Sequence, residues 1–391
     1  MTARRPRVLL LTSFQPEGHY SQGLAHSLWD AGCDELVVCT GRQEPAHADA
    51  RVARTWGAGV TFARDVVRFM DARRPDLMHI QHEFTMFGGG LSALQVPWLC
   101  RAVRRRGIAL VVTVHAVPAA QEIDHEFVRA FTGSNRIPAP ILRLGIRRIL
   151  RGIAQSTDVT ILHTPGLRDR FIADYEATPD RCRVLPLGVP TPPDGLNASP
   201  PLGEFRIVCP GYVSRRKGLE TVVGGFAHFA RKHADARLVF AGGVQHPAYR
   251  DELLARAAAG RVADRVRFTD RMPYATYMRE LAQAHVVVLG AAFSVSASQP
   301  LAQAQAVSRP IIAPGSGTFR ETLTARTDGL FYPPGDANDL SDRLAALHDS
   351  PDLRRTLEDG SRRAAERRSW PRVARDTQRM YAELAVVRAG A

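Results

Sequence analysis

PGYVSRRKGL, residues Pro210 to Leu219, follows the apolar run Phe205–Cys209 and precedes an apolar helical pattern from Leu219 to Phe229. A buried strand, a glycine turn, basic residues and a helix start, in that order, make an anion site. The first N–H groups of such a helix lack intrahelical partners, and the positive end of its dipole points the same way. Lys217 and the pair Arg215–Arg216 add full charges. An ordinary turn with solvated arginines has the same local pattern, so the choice between the two rests on the rest of the chain.

Outward from this stretch, strand-like runs alternate with helix-length segments. Toward the amino terminus the strand-like runs are Val8–Leu11, Leu36–Cys39, Leu77–Ile80, Ala109–Val114 and Val159–His163. Toward the carboxyl terminus they are Phe205–Cys209, Arg237–Ala241, Val266–Phe268, Val286–Leu289 and Pro310–Ala313, and long arginine-rich helices begin near Asp339. This order predicts an α/β protein with parallel sheets covered on both faces. The proline- and glycine-rich segment VPTPPDGLNASPPLG, Val189–Gly203, interrupts the alternation and reads as a linker. The expected organisation is a first Rossmann-like domain over 1–190, a linker over 191–203, a second over 204–371, and a terminal helix over 372–391 packing back toward the first. Two doubly wound domains facing each other bring both sets of strand ends to one cleft, where ligands bind in such sheets.

The 391 residues suffice for two cores. A net charge of +13 predicts attraction to nucleotides, phosphates or anionic surfaces, while no interleaved basic–aromatic pattern points to a nucleic-acid module. No apolar run reaches transmembrane length, and the apolar run after the amino-terminal arginines reads as a first strand, not a signal peptide. Five scattered cysteines without CxxC spacing read as reduced core residues of a cytoplasmic protein.

Five ordered pieces carry a resemblance: HIQHEFTMFGG (His79–Gly89), VVTVHAVP (Val111–Pro118), GYVSRRKGLE (Gly211–Glu220), RLVFAGG (Arg237–Gly243) and PLAQAQAVSRPIIAPGSGTFRE (Pro300–Glu321). In order and spacing they resemble the two-domain GT-B glycosyltransferases of the retaining type, family 4-like and group 1. The resemblance implies a nucleotide-sugar co-substrate, UDP before GDP, and no metal or other cofactor. In that family an arginine after the loop glycine and a later lysine hold the donor diphosphate. Here Gly211 and Lys217 match, Tyr212 occupies the arginine position, and Arg215 or Arg216 is left to supply the charge. Two glutamates eight positions apart, which touch the sugar and the ribose in relatives, fall on Val295 and Gln303. Ser294, Ser296 and Gln299 are the polar candidates for sugar contacts, and Ser298 is the expected cap of a helix starting near Pro300 and Leu301, whose exposed N–H groups would meet the donor diphosphate or sugar. Glu321 either reaches the donor or caps its own helix.

On the acceptor side the resemblance points to Gly18 in the loop after the first strand, with Glu17 and His19 beside it, and to His115 near the transferred sugar. His82 and Glu83 end another strand and either bind acceptor groups or stitch loops. His163–Thr164 and Arg271 lie at further strand ends. The expected activity is hexosyl transfer to a hydroxyl of a small acceptor, an aminocyclitol or other natural-product intermediate. The alternatives are a membrane-associated lipid or polysaccharide glycosyltransferase and a non-catalytic nucleotide-binding scaffold. Peripheral membrane contact through the basic segment Arg143–Ile153 is not favoured over simple packing on the sheet, with Leu144 among the packing residues. The oligomeric state is not legible.

Overall fold

The computed structural model describes residues 5–15, 20–132, 136–196, 198–291 and 293–389, organised by two all-parallel sheets. The first has the order β3-β2-β1-β4-β5-β6-β7, with β1 Val8–Leu11, β2 Leu36–Gly41, β3 Val52–Trp56, β4 Leu77–His82, β5 Ala109–Val114, β6 Val159–Leu162 and β7 Cys182–Val184. The second has the order β10-β9-β8-β11-β12-β13, with β8 Phe205–Pro210, β9 Ala236–Ala241, β10 Val266–Phe268, β11 Val286–Val288, β12 Ile311–Pro314 and β13 Leu330–Tyr332. β1 and β5 are buried along their whole length because helices cover both faces, which is why they read as continuous apolar runs and not as alternation. β3, β7 and β13 have no such run. They are short edge strands, and VARTW, the sequence of β3, is polar on its open side.

Strand order reverses between β1 and β4 in one sheet and between β8 and β11 in the other. These switch points open crevices at the carboxyl ends of the strands. The two lobes meet directly beside them. Ala116 and Ser296 form an antiparallel bridge, and Val117 N donates to Val295 O at 2.7 Å. Arg170 Nη1 donates to Val117 O at 3.0 Å and Ser294 O at 2.8 Å, while the Phe293 ring sits 5.3 Å from Phe127. Val295 is thereby buried in the core of the first lobe.

The last helix, Trp370–Ala389, lies on the first lobe, against the helix Tyr20–Asp30 and β5. Its entry is fixed where Val189 N donates to Arg368 O at 2.7 Å. Trp370 rests on Gly23 and Gly188, and a Cβ at either would come within 2.3 Å of the indole. Trp370, Val373, Met380 and Tyr381 complete the core that holds Val8, Leu10 and Trp29. Trp370→Ala is expected to cost about 3–5 kcal/mol, read as a lower urea midpoint with an unchanged slope, and Trp370→Phe is expected to cost less.

Candidate active site

Strand ends from both sheets line one cleft of about 1160 Å³. That is at the upper end of small-ligand sites, enough for a nucleotide and a second molecule. On the second lobe the loop after β8 forms its wall. Gly211 has φ of 95°, and a Cβ there would lie 2.5 Å from Lys217 Nζ, so only glycine leaves room for the ammonium group. A 3-10 turn, Arg215–Lys217, ends at Gly218 in the left-handed region, which starts the helix Leu219–Ala230. Gly290 packs onto Lys217 O and Gly242 onto Gly211 O, each too closely to admit a side chain. Lys217 Nζ donates to Pro210 O at 3.2 Å, and burial pulls its pKa down to about 8, with the charge of Arg216 acting in the same direction. Arg216 lines the same cleft, its guanidinium 5.8 Å from the Phe131 ring of the first lobe.

Lys217, Arg216, His115, Gly211, Tyr212, Ser296, Ser298, Gln299, Pro300, Gln303 and Glu83 all line this cleft. Four expected residues do not. Arg215 turns away to pair with Glu252, its Nη1 2.8 Å from Oε2, and stacks over Tyr249, so Arg216 is the guanidinium beside Lys217. Leu301 is 1% exposed and packs in the core below. Glu321 reaches across the lobes and accepts from Gly166 N at 2.6 Å, at the start of the helix Pro165–Tyr175; it is an interlobe contact, not a donor contact. His82 is fully buried on the Ile80 side of β4, and neither ring nitrogen has a partner among the described residues. Glu17, Gly18 and His19 lie outside the described residues.

Ser298 Oγ accepts from Leu301 N at 3.2 Å, capping the helix Gln299–Ala306. Gln303 Oε1 accepts from Tyr277 OH at 2.8 Å. Glu83 accepts from Thr85 N at 2.9 Å. Glu44, which sequence reasoning missed, lines the cleft and accepts from Phe14 N and Gly41 N.

Behind His115 runs a buried polar chain. His115 Nδ1 lies 2.9 Å from His163 Nε2, and its Nε2 lies 2.9 Å from Gln81. The Gln81 amide is 3.0 Å from His79 Nε2, which also meets Thr113 Oγ1 at 2.8 Å, and His79 Nδ1 meets Tyr381 OH at 2.6 Å. The far end settles the polarity. Leu185 O can only accept, so His163 Nδ1 donates to it and a neutral His163 accepts at Nε2. The structure sets Gln81 Oε1 at His115 Nε2 and Gln81 Nε2 at His79 Nε2; with that amide turned over, His115 carries its proton on Nδ1 and its Nε2 takes an N–H from Gln81. In that turned orientation the amide oxygen accepts from His79 Nε2, and Tyr381 donates to His79 Nδ1. Every group is satisfied with every imidazole neutral. Both ring nitrogens of His115 therefore have protein partners, and a sugar hydroxyl would have to displace one of them.

Burial lowers the pKa of His79 to about 3 and of His82 and His163 to about 4. These folded values lie below the unfolded value near 6.5, so the unfolded chain binds protons that the folded chain does not. Stability is expected to fall as pH drops from about 6.5 toward 4, by about 1.4 kcal/mol per pH unit for each imidazole. Urea midpoints at pH 7.5 and pH 5 measure this. His82→Leu, which removes the orphaned ring, is expected to flatten the acid limb with little loss at neutral pH.

A family model of glycosyl transferases group 1 matches residues 198–364, and one of glycosyltransferase family 4 matches residues 18–192. The chain is 26% identical to an MMP alpha-(1->4)-mannosyltransferase of Mycolicibacterium hassiacum, across 86% of this chain and 79% of the relative. It is also 26% identical to a D-inositol 3-phosphate glycosyltransferase of Kribbella flavida, across 82% and 75%. Among solved structures, the fold is similar to a sucrose-phosphate synthase of Thermosynechococcus elongatus, with TM-score 0.74, 19% identity, and 98% and 100% of the two chains covered. It is similar as well to Anabaena HepE in complex with UDP-glucose, with TM-score 0.72, 12% identity, and 97% and 100% covered. With two facing parallel-sheet lobes and a shared cleft between them, the chain belongs to the group 1 glycosyltransferases of the GT-B fold and is a nucleotide-sugar glycosyltransferase.

Proposed function

We propose that the protein moves a hexosyl unit, with retention of anomeric configuration, from a UDP-sugar to a hydroxyl of a small polyol such as a cyclitol or aminocyclitol. The observation that carries this reading is the Lys217–Arg216 pair on the wall of the interlobe cleft. In the reaction the bond from C1 to the β-phosphate oxygen breaks, and the acceptor oxygen bonds C1 on the same face. The acceptor proton passes to the departing phosphate. Negative charge grows on that phosphate, and preorganised cations stabilise it most as the bond breaks. Closure of the lobes about the contacts around Val295 and Arg170 would exclude water from the cleft.

Among the described lining residues the carboxylates are Glu44 and Glu83, and Glu44 is held by backbone N–H groups. Glu83 suits an amine or hydroxyl of the acceptor. The inositol-phosphate specificity in the names of several relatives supports a cyclitol acceptor. The UDP-glucose held by a structural neighbour supports a uridine donor.

Incubation with UDP-hexoses and a panel of inositols, inositol phosphates and aminocyclitols, read by UDP release and by proton NMR of the product, tests the proposal. An α-linked product from an α-configured donor is expected. A β-linked product overturns retention, and no UDP release with any pair overturns the donor assignment.

A further inference from the structure

Seven of the nine exposed large apolar side chains among the described residues lie in one region of the first lobe. Leu91, Leu94 and Trp98 project from the helices Gly90–Ala93 and Val96–Arg105, with Arg101 and Arg105 continuing the same exposed stripe at helical spacing. Ile141, Leu144 and Arg148 form a second stripe on the neighbouring helix Ala139–Ala154. Leu144 is 68% exposed, so it does not pack on the sheet as its sequence position suggests. The two helices touch where Pro97 meets Gly152, too closely to admit a side chain there. Val60 joins them on a loop held by Gln95 Nε2 and Ser92 Oγ, which bond Gly59 at 2.7 and 2.8 Å.

We infer that this face docks peripherally on an anionic lipid bilayer. Residues 89–106 and 136–155 hold nine arginines and no acid. Arg101, Arg105 and Arg148 make no ion pair among the described residues, whereas Arg147 and Arg151 are paired with Glu176. Exposed leucine and isoleucine, a tryptophan, and unpaired arginine on one face match the apolar core, interface and headgroup layers of an anionic membrane. A second copy of the chain fits poorly, because a two-fold contact would set this positive face against itself. Among the described residues no helix is long and apolar enough to cross a membrane, so the attachment lies on the surface.

The patch starts at the lip of the cleft. Ala58 and Gly88 line the cleft, and Val60 and Leu91 follow them within three residues. On the reading that this lobe receives the acceptor, docking would set the acceptor entrance at the lipid surface. That consequence rests on the proposed function; the docking itself does not.

Flotation of the whole protein with phosphatidylcholine vesicles, with and without phosphatidylglycerol, tests it. Wild type is expected to float with the phosphatidylglycerol vesicles and to detach in high salt. Trp98→Glu combined with Leu144→Glu is expected to reduce binding by at least about tenfold. Trp98→Phe is expected to retain it, and UDP titration should be unchanged in each variant. Three results would overturn the inference: no flotation of wild type, equal flotation of the double variant, or a wild-type dimer in light scattering that the same substitutions dissolve. The last would make the face an interface between copies. Because vesicle binding needs no turnover, its failure is distinguishable from failure of the catalytic proposal.

Discussion

Lys217→Ala is expected to lower kcat/KM for the nucleotide sugar by about 10²–10³, or about 3–4 kcal/mol of transition-state stabilisation. The ammonium group is held against Pro210 O in a pocket that Gly211 keeps open, so little reorganisation is needed when charge develops. Arg216 remains in the variant and sustains part of the donor affinity, so the loss should fall mainly on kcat. Lys217→Arg should not rescue, because Gly211 and Pro300 crowd the site that the larger guanidinium would need. The pH profile gives a second reading. In the free enzyme the ammonium titrates at about 8, so kcat/KM should fall as pH rises through that value. A bound diphosphate favours the charged form, so kcat should persist to higher pH. Steady-state kinetics from pH 6 to pH 10 measure both.

Gln81→Leu is the second large effect. Gln81 joins His115 at the cleft to His79 beneath it, and through His79 to Tyr381 on the last helix. The leucine would leave two buried imidazole nitrogens without that partner, at about 1–3 kcal/mol each. Urea denaturation should show the loss, and kcat should fall because the His115 ring then keeps only its Nδ1 bond to His163. Nitrogen NMR should report His115 protonated on Nδ1 in the wild type and in the variant, because His163 still accepts from Nδ1, with the Nε2 resonance moved in the variant by the loss of its partner. Gln81→Glu should do something different. A carboxylate beside His115 Nε2 favours the imidazolium, so the ring should titrate at higher pH than in the wild type. An unaltered Nε2 resonance and an unaltered kcat in Gln81→Leu would contradict this positioning role.

The loop Pro210–Leu219 was legible because its chemistry is local: a glycine that clears space, a lysine six residues later, and a helix start. Which arginine joins Lys217 was not. That choice depends on Glu252, 37 residues away, whose carboxylate takes Arg215. Glu321 likewise looked like a donor contact until its partner, Gly166, appeared 155 residues earlier in the chain. His82 was readable in principle. Alternation along β4 puts His79 and Gln81 on one face and Ile80 and His82 on the other, and Ile80 is core. The apolar runs revealed the central strands of both sheets, while β3, β7 and β13 stayed hidden because edge strands lack a second covered face. The family resemblance sets a glutamate against position 295; here a valine buried in the first lobe's core couples the lobes at that point.

The most direct test of the central claim is a crystal structure of the protein soaked with UDP. The account predicts the nucleotide in the interlobe cleft, with its β-phosphate within hydrogen-bond reach of Lys217 Nζ and Arg216, and Arg215 still on Glu252. A nucleotide bound elsewhere, or one in the cleft whose phosphates point away from Lys217, would contradict it.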